Sequence, residues 1–256
     1  MHPLLLRPID WLLLRTRLAL LPVKVRRGIA RGATWSLYPW MSYWRGTHEP
    51  VIQELIADYW DWTGKHCWDL GSHYGLYAVG LGRLVGPTGT VAAFEPNPIC
   101  YARLQLHVRR NRLSWVQTFR CAVSDQASVE RLIVYERLHA STAHFRYVGE
   151  PWYDGIPTIS VETCRLDDLV ADLRIAAPDF IKLDVEGHGH RALAGAREAI
   201  AQKLPPIIAG LHSQTEVDGV LAILQPLGYI WRFADGQRGL GGSLVLRDVF
   251  FIPPPR

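Results

Sequence analysis

Residues 66–77 read HCWDLGSHYGLY, and residues 90–96 read TVAAFEP. The first stretch predicts the end of a β-strand, a glycine turn and the start of a helix. The second predicts an apolar strand that ends in one carboxylate, Glu95. In α/β folds a ligand can approach the backbone at such a turn, and a carboxylate at the end of the next strand can bind the two hydroxyls of a ribose. The two stretches together indicate a nucleoside-binding α/β protein.

The bulk composition fits one large α/β domain. The chain has 256 residues, of which 48% are hydrophobic and 20% charged, which excludes a disordered protein. The net charge is +4, and the basic excess lies in the first fifty residues, so the rest is slightly acidic and a nucleic-acid partner is not expected. The cysteines are widely spaced and form no CxxC motif, which predicts thiols of a reducing, cytoplasmic compartment and no disulfides: Cys67, Cys100, Cys121 and Cys164.

Residues 1–50 are predicted to form a basic, aromatic helical extension that precedes a domain of residues 51–256. Leucines and arginines recur there at near-helical spacing, but charged residues interrupt every apolar run well before the ~20 residues that a membrane span requires. No cleavage site of a signal peptide follows. Two interpretations stay open. The helix packs its leucines on the main domain or on a second copy of the chain, or it lies peripherally on the inner face of an anionic membrane.

Strand and helix patterns alternate from residue 51 onwards. Helices are predicted at 51–60, 74–85, 97–110, 190–202 and 216–228, and core strands at 66–70, 91–95, 116–123, 179–186 and 205–212. An antiparallel insertion at about 126–165 interrupts the alternation, and strands at 229–234 and 243–252 form a final antiparallel hairpin. The pattern predicts a doubly wound, mostly parallel seven-stranded sheet. The final hairpin is typical of the class I methyltransferase version of this Rossmann-like fold.

The glycine turn favours a small nucleoside over a dinucleotide. It lacks the GxGxxG spacing, and Ser72, His73 and Tyr74 crowd the place of a pyrophosphate. S-adenosylmethionine carries no phosphate: its ribose would meet Glu95, and its methionine part would pass Gly71. Asp69 would orient the turn or meet the ammonium group of the methionine part. The alternative is a plain strand–helix turn that uses glycine only for its backbone shape.

Four stretches carry a resemblance to a known family: DLGSHYGLY (69–77), VAAFEPNP (91–98), AVSD (122–125) and FIKLDVEGH (180–188). Over roughly residues 46–235 the chain resembles the FkbM family of S-adenosylmethionine-dependent methyltransferases. The resemblance implies O-methylation of a hydroxyl on a sugar or a polyketide-type natural product. It also implies that Gly71, Gly75 and Glu95 hold the cofactor and that Asp125 lies near the adenine. The strand ends add further candidates for the cofactor site: Asp69, Ser72, His73, Asn97, Ser124 and Asp184.

The chain departs from the family pattern at three positions. His73 stands where the family usually has asparagine, Gly189 where a glutamate commonly follows EGH, and Gly210 where the fifth strand often has a glutamate. The first departure affects only the cofactor turn. The other two remove acidic groups near the expected active site, which predicts that the arrangement of the acceptor or of the catalytic groups differs from the usual one.

Charged side chains cluster at the end of the fourth core strand. By the two-residue period of a strand, Lys182, Asp184 and Glu186 share one face, next to the expected methyl group. Burying three charges is costly unless they pair or serve a ligand. A hydroxyl is a weak nucleophile and needs a general base, for which we favour Asp184 or His188, with His212 as an alternative and Lys182 tuning the carboxylates. The competing interpretation is a Lys182–Asp184 ion pair that only shapes the site; no metal is expected.

Two functional hypotheses follow. The first is an O-methyltransferase whose acceptor is a small molecule or a glycan, with the aromatic loop 138–157 acting as an acceptor lid or as an ordinary surface loop. The second is a degenerate module that binds the cofactor without turnover and associates with a membrane through its first residues. The intact Glu95 favours the enzyme, and the losses at Gly189 and Gly210 favour the module.

Overall fold

The computed structural model describes residues 21–37, 42–134, 143–145, 158–234 and 243–255. The predicted acceptor lid lies almost wholly outside these residues, and so does most of the candidate membrane helix. In chain order the strands are β1 (Pro22–Lys24), β2 (Thr34–Ser36), β3 (His66–Leu70), β4 (Thr90–Phe94), β5 (Val116–Phe119), β6 (Ala122–Val123), β7 (Val129–Val134), β8 (Ala143–Phe145), β9 (Thr158–Cys164), β10 (Phe180–Leu183), β11 (Ile207–Leu211), β12 (Ile230–Phe233) and β13 (Arg247–Ile252). The helices are α1 (Pro50–Tyr59), α2 (Leu76–Val85), α3 (Pro98–Arg110), α4 (Leu166–Ala171), α5 (Gly189–Ala194), α6 (Arg197–Lys203) and α7 (Gln214–Leu224), followed by a 3₁₀ turn (Gln225–Leu227).

A seven-stranded sheet with the order β5-β4-β3-β10-β11-β13-β12 forms the centre of the protein. The first five strands of that order are parallel, and β13 runs antiparallel to both of its neighbours. This arrangement confirms the predicted mostly parallel sheet with an antiparallel C-terminal hairpin. The carboxyl ends of β3, β4, β10 and β11 meet at one edge of the sheet, which is where α/β proteins bind ligands.

Each face of the sheet has its own apolar core. Successive residues of β3 show the division, because Cys67 belongs to one core and Trp68 to the other. The first core packs against α1, α2 and α3, and the second against α4 to α7. Strands covered on both faces need apolar side chains at nearly every position, which explains the continuous apolar runs of the sequence.

Residues 22–36 form an antiparallel hairpin of β1 and β2, so the helix predicted for residues 1–50 is wrong for this part. Trp35 is fully buried in the first core and stacks on His107 with 3.7 Å between ring centroids. The backbone N–H of Thr34 donates to Asn111 Oδ1 at 2.7 Å, and Ser36 Oγ lies 2.9 Å from His107 Nε2. The hairpin is therefore packed on α3.

Three predicted elements differ from their expected bounds: two are divided and one ends early. The strand predicted at 116–123 is divided into β5, in the central sheet, and β6, in a second sheet of order β6-β9-β7-β8. The strand predicted at 179–186 ends at Leu183, so the prediction that Lys182, Asp184 and Glu186 share one strand face is wrong. The helix predicted at 190–202 is divided into α5 and α6.

The second sheet confirms the predicted antiparallel insertion. Within it, β7 pairs antiparallel with both β8 and β9, whereas β6 pairs parallel with β9. The insertion therefore joins the domain beside the end of β5. Among the described residues, no helix combines the length and the apolar character that crossing a membrane demands.

Candidate active site

The glycine turn after β3 brings three strand ends together. The N–H groups of Gly71 and Ser72 both donate to the carbonyl oxygen of Phe94, at 3.1 and 2.9 Å. Gly71 has φ +86°, and a Cβ there would lie 1.9 Å from the carbonyl oxygen of Asp184. Only glycine fits this position, both by conformation and by space. The turn thus fixes the end of β10 against the ends of β3 and β4.

Glu95 closes one end of a cleft at this edge. Its Oε2 accepts the N–H of His73 and its Oε1 accepts the N–H of Asn97, both at 2.8 Å. Burial raises the pKa of Glu95 to about 7 even though both of these N–H groups lower it. A carboxylate oxygen accepts more than one hydrogen bond, so Glu95 can still accept ribose hydroxyls.

The cleft is partly open to solvent, so a ligand can enter it. Five of the predicted cofactor residues line it: Gly71, His73, Glu95, Asn97 and Asp184. Its other walls are mainly apolar, as the flat face of an adenine requires, and they include Phe94, Cys100, Cys121, Val123 and Leu132. The residues that line the cleft therefore fit a nucleoside, with the Glu95 carboxylate available to bind its ribose.

The other predicted cofactor residues do not line this cleft. Ser72 Oγ donates to the carbonyl oxygen of Asp69 at 2.8 Å, and Gly75, with φ +88°, packs against Leu104. Asp69 is buried, burial raises its pKa to about 6, and its Oδ2 has no hydrogen-bond partner among the described residues. Ser124 is fully buried, and Asp125 forms an ion pair with Arg191 at 2.8 Å.

His73 connects the cofactor turn to the segment before α1. It has φ +49°, its ring stacks on Tyr74 at 4.1 Å, and its Nδ1 lies 3.0 Å from the hydroxyl of Tyr43. Burial lowers the pKa of His73 to about 4, so its ring is neutral at pH 7. The residue that departs from the family pattern thus has a hydrogen-bonding role.

A charge cluster contributes two carboxylates, Asp184 and Glu186, to the lining of the cleft. Lys182 is fully buried, and its Nζ lies 3.4 Å from Asp184 Oδ2. His212 Nε2 lies 3.5 Å both from Asp184 Oδ1 and from Glu186 Oε2. Burial raises the pKa of Glu186 to about 7. Of the four predicted catalytic residues, the structure therefore brings together Lys182, Asp184 and His212.

His212 is a cation at neutral pH. Burial alone would lower its pKa, but the carboxylates of Glu216, Asp184 and Glu186 outweigh that effect and raise it to about 9. A protonated imidazole cannot accept a proton from an acceptor hydroxyl. At pH 7 His212 therefore acts as a positive charge beside Asp184.

His188 lies apart from the cluster. Its ring is buried with 1% exposure, and its Nε2 lies 3.1 Å from Ser124 Oγ. Burial lowers its pKa to about 3, and the neighbouring Arg191 and His190 lower it further. The ring thus connects the start of α5 with the loop after β6.

Four acidic or aromatic groups around the site were not among the residues predicted from the sequence. Tyr77 donates to Glu49 Oε2 at 2.6 Å, and the Tyr77 ring lies 5.2 Å from Lys182 Nζ. Asp248 pairs with Gly210 across β11 and β13, and Lys182 lowers its raised pKa. Only Glu216 had a signal, because Ser213 and Glu216 have the spacing of a helix capping box. That signal predicts a helix start and not an active-site contact.

The two glycine departures have a steric cause. A Cβ at Gly189 would lie 2.6 Å from Glu216 Oε1, and a Cβ at Gly210 would lie 3.0 Å from Asp184 Oδ1. Glu216 itself is fully buried, and it accepts the N–H groups of Gly189 and His212, both at 2.7 Å. A carboxylate therefore does occupy the neighbourhood of position 189, but it comes from α7.

One group within the described part of the chain has the spacing of a cation site. Ligand atoms of Asp184, Glu186 and His212 all lie within 4.8 Å of one another. Lys182 and the protonated His212 already place two positive charges beside these carboxylates. The carboxylates are thus compensated by side chains of the protein.

A profile of the methyltransferase FkbM domain matches residues 69–231, which is more than half of the chain. The chain belongs to the FkbM methyltransferase family. Membership makes it an S-adenosylmethionine-dependent methyltransferase, and the matched range includes both Glu95 and the charge cluster around Asp184.

Several named methyltransferases have moderate similarity to this chain. The 31-O-demethyl-FK506 methyltransferase FkbM of Streptomyces tacrolimicus is 29% identical over 194 residues, covering 65% of this chain and 73% of the relative. The 2-O-methyltransferase NoeI of Sinorhizobium fredii is 27% identical over 177 residues, covering 63% and 71%. The hexuronic acid methyltransferase AglP of Haloferax volcanii is 26% identical over 164 residues, covering 61% and 60%.

Proposed function

We propose that this protein transfers the methyl group of S-adenosylmethionine to a hydroxyl oxygen of a sugar, a glycan or a related natural product. The observation that carries the proposal is one cleft lined both by a ribose-type carboxylate, Glu95, and by Asp184, which forms ion pairs with Lys182 and His212. The relatives support it, since two are named for transfer to an oxygen and one for a hexuronic acid.

In the proposed complex, Glu95 accepts the ribose hydroxyls and the apolar wall around Phe94 and Val123 holds the adenine. Asp69 is buried and does not line the cleft, so we assign it the orientation of the turn rather than contact with the ammonium group. The cofactor supplies an electrophilic methyl group on a sulfonium, so the protein has to position the acceptor and remove its proton.

Asp184 is the proposed general base. It lines the cofactor cleft and, among the described residues, is the carboxylate that forms ion pairs with both Lys182 and His212. Glu186, whose pKa of about 7 suits proton exchange near neutrality, lines the same cleft with a carboxylate oxygen within 4.8 Å of one of Asp184, and it would accept the proton onward. Lys182 and His212 position the base and balance its charge.

A second cleft, beyond the cluster, is the proposed acceptor site. It is lined by the start of α1 and the residues before and within β13: Glu49, Pro50, Val51, Ile52, Leu246, Arg247 and Asp248. Burial would raise the pKa of Glu49, but His48, Lys182 and Tyr77 outweigh it and lower the pKa to about 2. Exposed apolar side chains beside carboxylates suit a hydroxylated ring, whose faces are apolar and whose hydroxyls donate.

Calorimetry with S-adenosylmethionine, followed by detection of S-adenosylhomocysteine against a panel of glycans and hydroxylated natural products, tests the proposal. We expect binding and acceptor-dependent product. Binding without product on any acceptor would support the alternative, a cofactor-binding module without turnover. No binding at all would refute both.

Asp184→Asn separates the base from the cofactor site. We expect turnover to fall by about 10²–10⁴-fold, as for loss of a general base, while cofactor affinity stays within a few-fold. Glu95→Ala should have its main effect on cofactor affinity, because it removes the carboxylate proposed to bind the ribose. Full activity of Asp184→Asn would remove Asp184 as the base.

We also expect turnover to be unchanged by EDTA. Loss of turnover in EDTA would assign a metal to the candidate cation site described above.

A further inference from the structure

Two cysteine side chains meet at the adenine side of the cofactor cleft. Cys121 lies between β5 and β6, Cys164 is the last residue of β9, and their Sγ atoms are 3.0 Å apart. A disulfide has an S–S length of about 2.03–2.05 Å, so bond formation requires the sulfurs to approach by only about 1 Å. Both side chains are partly exposed, whereas Cys67 and Cys100 are buried.

The surroundings of the pair favour a thiolate at Cys164. The hydrogen bond shared with Cys121 lowers the pKa of Cys164, and the positive charge of Arg174 also lowers it against the opposing effect of burial. The contact with Cys164 and burial raise the pKa of Cys121, and burial raises the pKa of both Cys67 and Cys100. The thiolate is the reactive form of cysteine, so Cys164 is the expected site of attack.

We propose that Cys121 and Cys164 form a reversible modification site that a peroxide converts into a disulfide. The Cys164 thiolate attacks one peroxide oxygen, the O–O bond breaks, and a sulfenic acid and water result. The Cys121 sulfur then attacks the sulfenic sulfur, the S–O bond breaks, and a second water leaves. The two sulfurs together lose two electrons and two protons, and a dithiol returns them.

The disulfide is expected to alter cofactor binding, an effect that rests on the proposed function. Cys121 lines the cleft together with Ala122 and Val123, on the side proposed for the adenine. Drawing Cys121 toward β9 displaces that wall, and close-packed walls transmit such shifts. Formation of the disulfide itself depends only on the two thiols.

The test begins with the full chain, reduced and then treated with a stoichiometric amount of hydrogen peroxide. We expect alkylation in denaturant after the oxidation to label two of the four cysteines, the intact mass to fall by two hydrogens, and a peptide map to join Cys121 with Cys164. Dithiothreitol should restore four reactive thiols. The cross-link should raise the thermal midpoint by about 5–10 °C, because it constrains the unfolded chain.

Matched variants make the outcome decisive. Cys121→Ser and Cys164→Ser should each prevent the cross-link, whereas Cys67→Ala should still form it. Four reactive thiols after oxidation, or a cross-link that includes Cys67 or Cys100, would overturn the proposal.

Calorimetry with S-adenosylmethionine tests the effect on the cleft. We expect about fivefold weaker binding by the oxidised protein, a change of about 1 kcal/mol, and no oxidation effect in Cys164→Ser. A disulfide without any change in affinity would overturn the link to the cleft. Absence of binding in both redox states would count against the proposed function and leave the thiol result standing.

Discussion

Glu216 is a carboxylate without contact to solvent, and two elements of the active site depend on it. One oxygen accepts the N–H of Gly189 at the start of α5, and the other accepts the N–H of His212 at the end of β11. Its Oε2 also lies 3.6 Å from His212 Nδ1. Hydrogen bonds to an ionised group are roughly twice as strong as neutral ones, so this side chain fixes α5 against β11.

Glu216→Gln should weaken this connection. The amide keeps the size of the side chain but turns an NH₂ group toward one of the two backbone donors, which leaves a buried donor unpaired. We expect a loss of about 1–3 kcal/mol in the free energy of unfolding, measured with urea. The pKa of His212, followed by NMR of its ring protons, should fall toward its usual value. Glu54→Gln, on the exposed side of α1, is the control and should change neither quantity.

His212 gives a pH dependence whose direction is fixed. Its pKa is raised from 6.5 to about 9, so its stabilising charge is fully present below pH 6.5 and is lost as the pH rises through 9. The stability difference between the wild type and His212→Gln should therefore be largest near pH 6 and shrink toward pH 9.5. This decrease in the stability difference is at most about 3 kcal/mol, since each pKa unit corresponds to about 1.4 kcal/mol. A difference that is constant with pH would contradict a protonated His212.

A site residue could be predicted from the sequence where one short motif contained both the residue and the strand pattern that positions it. Gly71 and Glu95 follow strands that the apolar pattern predicts, and both line the cleft. Glu49, Glu216 and Asp248 come from elements far away in the chain and reach the site only through tertiary packing. His188 shows the converse, because its place in the EGH motif suggests chemistry while its ring bonds to Ser124.

At the scale of elements, the hairpin of β1 and β2 is part of the first core. Trp35 is fully buried, stacks on His107, and lies in a T-shaped contact with Tyr43, whose hydroxyl reaches His73 of the cofactor turn. The hairpin therefore supports α3 and, through Tyr43, one side of the cofactor turn.

Trp35→Ala should expose the contribution of this hairpin. Removing a fully buried tryptophan leaves a cavity, and we expect a loss of about 3–5 kcal/mol in the free energy of unfolding. Trp60→Ala removes the same side chain from a position that is 39% exposed and should cost much less. Urea denaturation of the two variants measures the difference. Equal losses would mean that the hairpin is not part of the cooperative core.

The element boundaries that the sequence pattern missed have local tertiary causes. The predicted helix at 190–202 is interrupted at Gly195, where a Cβ would lie 2.0 Å from the carbonyl oxygen of Ser124. The strand before Asp184 ends because Glu186 and Gly187 adopt φ +52° and +96°, which turns the chain away from the sheet. An alternating or apolar sequence pattern predicts neither the interruption of the helix nor the end of the strand, since both depend on another segment of the chain.

At the scale of the whole molecule, the alternation of strands and helices was enough to predict the sheet and the edge that holds the site. Parallel strands joined by helices place their carboxyl ends at one edge, so the ends of β3, β4 and β10 had to converge. The N-terminal hairpin was not predictable in the same way. Its strands are three residues each, too short for a period, and their partners lie on α3.

Because the cleft lies between strand ends that belong to both cores, cofactor binding should stabilise the whole domain. A ligand that binds only the folded state adds about 2.7 kcal/mol to the free energy of unfolding when its concentration is about a hundred times its dissociation constant. In a chain of this size, that gain corresponds to a rise of about 5–10 °C in the thermal midpoint. Differential scanning fluorimetry with S-adenosylmethionine measures this rise. In Glu95→Ala the rise should vanish at the same ligand concentration, while Glu54→Ala, on the exposed side of α1, should retain it. A full rise in Glu95→Ala would show that the ribose is held elsewhere, since the linkage depends only on affinity for the folded state.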